Sequence, residues 1–117
     1  MSDKVQILHN PRCSKSRQTR EILDNQGVDT AIVEYLKTPP TTGQLGEILD
    51  MLGLEPRELM RKQEKPYKEN NLDDDSLTRE QLIQAMVDNP ILIERPIVIS
   101  GNKAAIGRPP ESVLEIL

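Results

Sequence analysis

Residues 5–16 read VQILHNPRCSKS, and this stretch decides how the chain begins to fold. Its first four residues predict a short β-strand, and Pro11 interrupts that strand because proline has no backbone N–H to donate. Ser14 or Ser16 can then cap a helix, which the glycine at position 27 should end. The chain therefore begins as strand, loop and helix, with Cys13 at the junction of loop and helix.

A second strand is predicted beyond that helix. Residues 31–35, AIVEY, are rich in strand formers, and their separation from the first strand allows a right-handed parallel crossover. Near the other end of the chain, strand-forming residues 97–100 and 103–106 flank Gly101-Asn102, a clear signal for a two-residue hairpin. A closing helix over residues 111–117 follows Pro109 and Pro110. The chain thus starts as β-α-β and ends as β-β-α.

The middle of the chain, around residues 40–90, is predicted to hold only helices and loops. Thr41 with Gln44, and Thr78 with Gln81, form two capping-box patterns ahead of apolar residues at helical spacing. Pro56 suits the first turn of a short helix over residues 56–61, and residues 65–75 are polar enough for an exposed connection. The order predicts an α/β fold with a mixed sheet, β-α-β joined to β-β-α through a helical insertion, which is the thioredoxin-like arrangement.

Length and composition narrow the class of protein. A chain of 117 residues fits a single domain over residues 1–117, and its core must be aliphatic because there are two tyrosines and no Phe or Trp. The net charge of -4 disfavours general binding to nucleic acid or to an anionic membrane. Neither the short apolar stretch after residues 1–4 nor any later one resembles a signal peptide or membrane span. We expect a cytoplasmic protein.

Cys13 is the single cysteine, so it cannot form an internal disulfide. At a helix N-terminus it faces unpaired backbone N–H groups and the positive end of the helix dipole, which favour thiolate over thiol. Arg12, Lys15 and Arg17 add positive charge, and His9 stands at the strand end where it can approach the sulfur. The alternative is that Cys13 is a small buried residue and its basic neighbours are simply solvated.

Three further arginines stand at boundaries between predicted elements. Arg61 ends a short helix, Arg95 precedes Pro96, and Arg108 lies between Gly107 and a proline. The forked guanidinium group suits tetrahedral oxyanions, so these residues are candidates for holding an anion beside a thiolate. Surface solvation and structural ion pairs are the alternative explanation for each arginine.

Several familiar cysteine chemistries do not fit the sequence. Position 19 is threonine, so the C-x5-R phosphate loop is missing, and Asn10 and Ser16 stand where C-x-x-C motifs would need a second cysteine. No metal-binding spacing or phosphate-binding glycine loop is found, so no metal and no bound cofactor are expected. Electrons for any redox cycle at Cys13 must come from outside the chain.

Three segments together resemble the glutaredoxin-coupled arsenate reductase family: HNPRCSKSR at residues 9–17, NPILIERPIV at residues 89–98 and IGRPPE at residues 106–111. The resemblance spans nearly the whole chain and implies a thioredoxin-like fold with a helical insertion. It implies that Cys13 is the catalytic nucleophile and that Arg61, Arg95 and Arg108 bind the oxyanion and stabilise the product. It also implies that His9, Asn10 and Ser16 tune the surroundings of Cys13.

The resemblance further implies a reaction cycle. The Cys13 thiolate attacks arsenate, glutathione as co-substrate reduces the adduct and releases arsenite, and glutaredoxin resolves the remaining mixed disulfide. We expect a monomer that takes arsenate, glutathione and glutaredoxin as its partners, with no nucleic acid and no membrane. The resemblance also suggests a cis peptide bond between Arg95 and Pro96.

Two other functions stay open at this point. One is a regulator of the Spx type, which has the same fold and binds RNA polymerase, although Asn10 replaces the first cysteine of its usual C-x-x-C switch. The other is a glutathione-dependent oxidoreductase acting on protein disulfides, which would not need the three arginines. A polymerase pull-down beside an arsenate-reduction assay would separate the regulator from the enzyme.

Overall fold

The computed structural model describes residues 5–117 and divides the chain into two compact units. The first unit consists of residues up to Thr38 together with Arg95–Leu117, and the second is Pro39–Glu94. Residues 1–4, on which the expectation of no signal peptide partly rests, lie outside the described residues. The single domain over residues 1–117, with its helical insertion around residues 40–90, stays a prediction.

A four-stranded mixed sheet forms the first unit. Its strands are β1 (Val5–Leu8), β2 (Thr30–Val33), β3 (Ile97–Ser100) and β4 (Lys103–Ile106), in the order β2-β1-β3-β4. β1 is parallel to β2 and antiparallel to β3, and β3 is antiparallel to β4. Helix α1 (Ser14–Asn25) connects β1 to β2, and a 3-10 helix (Pro110–Ile116) follows β4. The predicted mixed sheet and its hairpin at Gly101-Asn102 are confirmed.

The core of the first unit is aliphatic, as the composition predicts. Val5 and Ile7 alternate along β1 and therefore point to the same face of the sheet. They cluster with Leu23 from α1, Val98 from β3 and Val113 from the 3-10 helix, all of them buried. These contacts fix α1 against the sheet, and α1 is the helix that begins directly after Cys13.

Two local predictions for the first unit are wrong. β2 ends at Val33 and not at residue 35, because the backbone N–H groups of Lys37 and Thr38 both donate to the carbonyl of Glu34 and close a turn. Cys13, and neither Ser14 nor Ser16, is the N-cap of α1. The predicted closing helix is present as a 3-10 helix over Pro110–Ile116, starting with the i to i+3 bond from the Ser112 N–H to the Pro109 carbonyl.

The second unit is built from helices. They are α2 (Thr42–Leu52), α3 (Pro56–Leu59), α4 (Lys65–Glu69), α5 (Arg79–Asp88) and a 3-10 helix (Pro90–Leu92). Both predicted capping boxes are confirmed, with Thr41 accepting from the Gln44 N–H at 3.1 Å and Thr78 from the Gln81 N–H at 3.2 Å. Gly53 ends α2 with a φ of 69°, a left-handed conformation that glycine adopts without strain.

Two predictions for the second unit need correction. Residues 65–75 are not entirely an exposed connection, because α4 forms there with Pro66 in its first turn, where a missing N–H costs no helical bond. α3 ends at Leu59 and does not continue to residue 61, since Met60 pairs with Ile93 in an isolated antiparallel bridge. None of the helices within residues 5–117 has the length and apolar character that a membrane-spanning segment requires.

Candidate active site at Cys13

Cys13 sits at the N-terminus of α1 with its backbone in the extended region, at φ -93° and ψ 123°. Its N–H donates to the Asn10 carbonyl at 3.0 Å, and its own carbonyl accepts from the Arg17 N–H at 3.0 Å. The side chain is partly buried and makes no capping hydrogen bond, and the first turn of α1 has no acidic residue. The sulfur therefore lies at the positive end of a helix, a position that stabilises negative charge.

Arg108 is the cation that the structure brings to the sulfur. Its Nη2 lies 3.7 Å from Cys13 Sγ, and its Nε donates to the Arg95 carbonyl at 2.8 Å. The bond from Nε holds the guanidinium group while its Nη2 lies next to the thiol. Because the Arg108 side chain is exposed, an anion from solvent can reach it without passing through the core. The arrangement can hold an oxyanion against a nucleophilic sulfur.

Arg95 contributes to the site through its backbone. Its carbonyl accepts the Arg108 Nε bond, and its peptide bond to Pro96 is cis, as the resemblance implied. The peptide bond between Arg108 and Pro109 is also cis. Sequence reasoning missed this second bond, because an X-Pro pair shows where a cis bond can occur and not whether it does.

The cysteine loop is formed by residues 9–13, between β1 and α1, and its His9 lies next to Ser16 of α1. His9 is only 2% exposed, and its Nδ1 is 2.7 Å from Ser16 Oγ. Ser16 Oγ also accepts the Asn10 N–H at 3.0 Å, which leaves the hydroxyl proton available to Nδ1. Asn10 in turn accepts the Arg12 N–H through its side-chain oxygen at 3.0 Å. These bonds order the loop between β1 and Cys13.

The environment keeps His9 neutral at physiological pH. Burial lowers the pKa of His9 below its ordinary value, and Arg20 and Arg17 lower it further, while Glu34 raises it in part. Sequence reasoning named Arg17 but missed Arg20 and Glu34. Arg20 lies three residues after Arg17 on α1, a helical spacing that could have indicated it. A neutral imidazole can accept the Ser16 proton at Nδ1.

Arg61 is held within the second unit by two carboxylates. Its Nη1 donates to Glu64 Oε2 at 2.7 Å, and its Nε lies 3.7 Å from Glu94 Oε1. The backbone N–H of Arg61 donates to the Leu92 carbonyl at 2.7 Å, which fixes the start of the segment after α3. This segment lines a cleft of about 340 Å³ together with Met60. The described partners of the guanidinium group are thus carboxylates of its own unit.

Described contacts link six of the seven predicted residues. Five are linked by hydrogen bonds or by the loop between β1 and α1: Cys13, Arg108, His9, Ser16 and Asn10. Arg95 is the sixth and joins them through its carbonyl. Among residues 5–117, no group of three or more His, Cys, Asp or Glu side chains could hold a metal ion.

Comparisons with known proteins match nearly the whole chain, including the residues around Cys13. Residues 8–116 match the family model of the ArsC family. The chain is 57% identical to the uncharacterized protein YfgD of Escherichia coli K12, covering 100% of this chain and 99% of that protein. It is 47% identical to an arsenate reductase of Haemophilus influenzae, covering 97% and 98%.

The fold comparison gives the same result. The structure is similar to that of an arsenate reductase from Vibrio cholerae, with a TM-score of 0.94 and 48% identity over all of both chains. The likeness confirms the predicted thioredoxin-like fold class. The matched region contains Cys13, Arg61, Arg95 and Arg108.

Proposed function

The chain belongs to the ArsC family, and from that membership we propose that it reduces arsenate to arsenite through the thiolate of Cys13. The observation that carries the proposal is the 3.7 Å approach of Arg108 Nη2 to Cys13 Sγ at the N-terminus of α1. A nucleophile, a stabilising helix end and a forked cation are the groups that attack on an oxyanion requires. The named arsenate reductases among its relatives support the choice of arsenate.

In the first step, the Cys13 thiolate attacks the arsenic atom of arsenate. A sulfur–arsenic bond forms, one arsenic–oxygen bond breaks, and that oxygen leaves as water after taking up two protons from the substrate and solvent. Arg108 offers N–H donors to the oxyanion as charge moves from sulfur to oxygen, and Arg95 and Arg61 are the further oxyanion-binding residues. Neutral His9, with Ser16 and Asn10, keeps the cysteine loop in place.

In the second step, glutathione supplies the electrons. Its thiolate attacks Cys13 Sγ, a disulfide forms, and the electron pair of the sulfur–arsenic bond passes to arsenic, which leaves as arsenite. A thiolate of glutaredoxin then attacks the glutathione sulfur and releases Cys13 as a thiolate. One cysteine is enough for this cycle because the second and third sulfurs come from the partners.

The proposed cycle also determines which cofactor, oligomeric state and compartment the protein needs. It uses glutathione as a co-substrate and no bound cofactor, and it needs only one copy of the chain, so a monomer suffices. It also needs a compartment that keeps glutathione reduced, and we therefore propose the cytoplasm.

A coupled assay tests this function. Purified protein is mixed with arsenate, glutathione, glutaredoxin, glutathione reductase and NADPH, and NADPH oxidation is followed together with arsenite release. We expect oxidation that depends on arsenate and that stops when glutaredoxin is omitted. NADPH oxidation with a glutathionylated protein substrate that requires this chain when glutaredoxin is omitted, together with no oxidation with arsenate in the complete mixture, would refute the proposal in favour of the protein-disulfide alternative.

A further inference from the structure

Gly107 lies where the segment of Arg108 meets α1 and Pro96. A Cβ atom placed on Gly107 would collide with Thr19 Oγ1, would lie 2.8 Å from Pro96 Cγ, and would lie 3.2 Å from Thr19 Cγ2. Real Cβ atoms essentially never approach another heavy atom within 3.0 Å. Position 107 therefore has no room for any side chain unless a neighbouring segment moves.

Neither neighbour can move easily. Thr19 is fully buried on α1, and its hydroxyl donates to the Lys15 carbonyl at 2.8 Å, which fixes the side chain against the helix. Pro96 is buried, and its carbonyl accepts the Gly107 N–H at 2.9 Å. An added methyl group would therefore push the Gly107 segment away from α1, because interiors are close-packed and transmit such strain.

The displacement would reach Cys13 through a short path. Arg108 follows Gly107 directly, and its backbone N–H donates to the Ile106 carbonyl at 2.9 Å. On the other side, Thr19 belongs to the helix that Cys13 caps. A change in the gap between Gly107 and Thr19 is therefore a change in the distance between the guanidinium group and the sulfur.

We propose that Gly107 is a positioning residue, whose missing side chain lets α1 approach closely enough for Arg108 to contact the Cys13 sulfur. It acts through Arg108 and does not itself touch the substrate. The inference rests on the proposed role of Arg108 beside Cys13. It concerns the reactivity of the thiol, so it can be tested without arsenate.

The test measures the rate at which iodoacetamide alkylates Cys13 at neutral pH. Gly107→Ala should slow alkylation about tenfold, as Arg108→Gln should, because each removes a charge-assisted contact that favours the reactive thiolate. Gly46→Ala is the matched control, since the nearest atom to its added methyl group is an Ile83 methyl at an ordinary 3.9 Å. We expect wild-type reactivity in that variant.

Two double variants separate positioning from general damage to the fold. Gly107→Ala in an Arg108→Gln background should cause no further loss of alkylation rate, because the contact it disturbs is already missing. Gly107→Ala should reduce the alkylation rate less in a Thr19→Ala background than in the wild type, because Thr19→Ala removes both Thr19 atoms that the methyl group meets.

The following results would overturn the proposal. One is wild-type alkylation in Gly107→Ala, and another is a loss of equal size with and without Arg108. If Gly107→Ala does not fold, the variant that also carries Thr19→Ala takes its place, and wild-type alkylation in Arg108→Gln would overturn the proposal whether or not either variant folds. The predicted alkylation pattern without any arsenate turnover would instead refute the proposed function and leave this inference standing.

Discussion

Arg108 and Arg61 carry the same guanidinium group, but the structure surrounds the two groups differently. Arg108 donates to a neutral carbonyl and contacts the Cys13 sulfur, whereas Arg61 lies between the carboxylates of Glu64 and Glu94. Arg61 thus has two carboxylate neighbours within its own unit, whereas Arg108 has a donor next to the thiol. Two arginines that the sequence offers as equivalent oxyanion-binding candidates should therefore contribute unequally to the reaction.

Removing the sulfur should produce the largest effect. Cys13→Ser should reduce arsenate turnover below detection, because a hydroxyl stays protonated near neutral pH and is a far poorer nucleophile than a thiolate. The fold should persist, since no described hydrogen bond other than that from Arg108 uses the sulfur. The coupled assay and a thermal melt measure the two properties, and turnover at the wild-type rate would end the proposed mechanism.

Replacing the two arginines by lysine tests the comparison directly. Arg108→Lys should lower kcat/KM for arsenate about a hundredfold, because lysine keeps the charge but loses the forked donors aimed at the developing oxyanion. Arg61→Lys should cost about tenfold or less, because its group already shares its donors with two carboxylates. Steady-state kinetics at several arsenate concentrations measure both losses.

Which of the two variants loses more kcat/KM tests the contrast between Arg108 and Arg61. A larger loss for Arg61→Lys than for Arg108→Lys would show that contact with the sulfur is not what ranks the arginines. Equal loss of thermal stability in both variants, without a selective kinetic effect, would favour a structural role for each.

A smaller effect in the opposite direction is expected at Glu64. Glu64→Gln removes the carboxylate nearest to Arg61, so the KM for arsenate should fall by up to about fivefold, the size expected when a partly exposed ion pair is broken. Glu58→Gln is a suitable control because this glutamate caps α3 and makes its described bond to the Glu55 N–H. An unchanged KM in Glu64→Gln would mean that the carboxylate does not compete with substrate.

The smallest effect concerns the pH dependence of stability. The pKa of His9 is lowered in the folded protein, so the unfolded chain binds a proton more readily as pH falls through about 6.5, the ordinary value of histidine. The free energy of unfolding should therefore decrease from pH 7.5 to pH 5.5. Urea melts of wild type and His9→Asn should show a shallower decrease in the variant, and parallel curves would contradict the assignment.

Local signals in the sequence explain why most of the fold could be predicted. The capping boxes at Thr41 and Thr78 and the hairpin at Gly101-Asn102 each depend on residues within a few positions of one another. α4 was not predicted because residues 65–69, KPYKE, show no apolar periodicity. Tyr35 extends the strand pattern in sequence but lies buried in a turn after it.

The site could be predicted only in part, because its main contact is between distant residues. Arg108 and Cys13 are 95 positions apart, so no spacing rule joins them. Its place at an element boundary made Arg108 one of three candidate anion-binding arginines, and the resemblance to a family implied its role beside Cys13. The carboxylates around Arg61 and the lack of space at Gly107 arise from packing and side-chain direction. Glu64 stands three positions after Arg61, a spacing that could indicate the ion pair, whereas the lack of space at Gly107 leaves no pattern in the residues that flank it.

The central claim is that Cys13 carries the reaction and that its adduct is resolved only by external thiols. The most direct measurement is the intact mass of the wild-type protein after incubation with arsenate and glutathione but without glutaredoxin, followed by peptide mapping. One glutathione should accumulate on Cys13, faster with arsenate than without it, and added glutaredoxin should remove it. Arsenite formed through many turnovers without any external thiol, or an adduct whose rate arsenate does not change, would contradict the account.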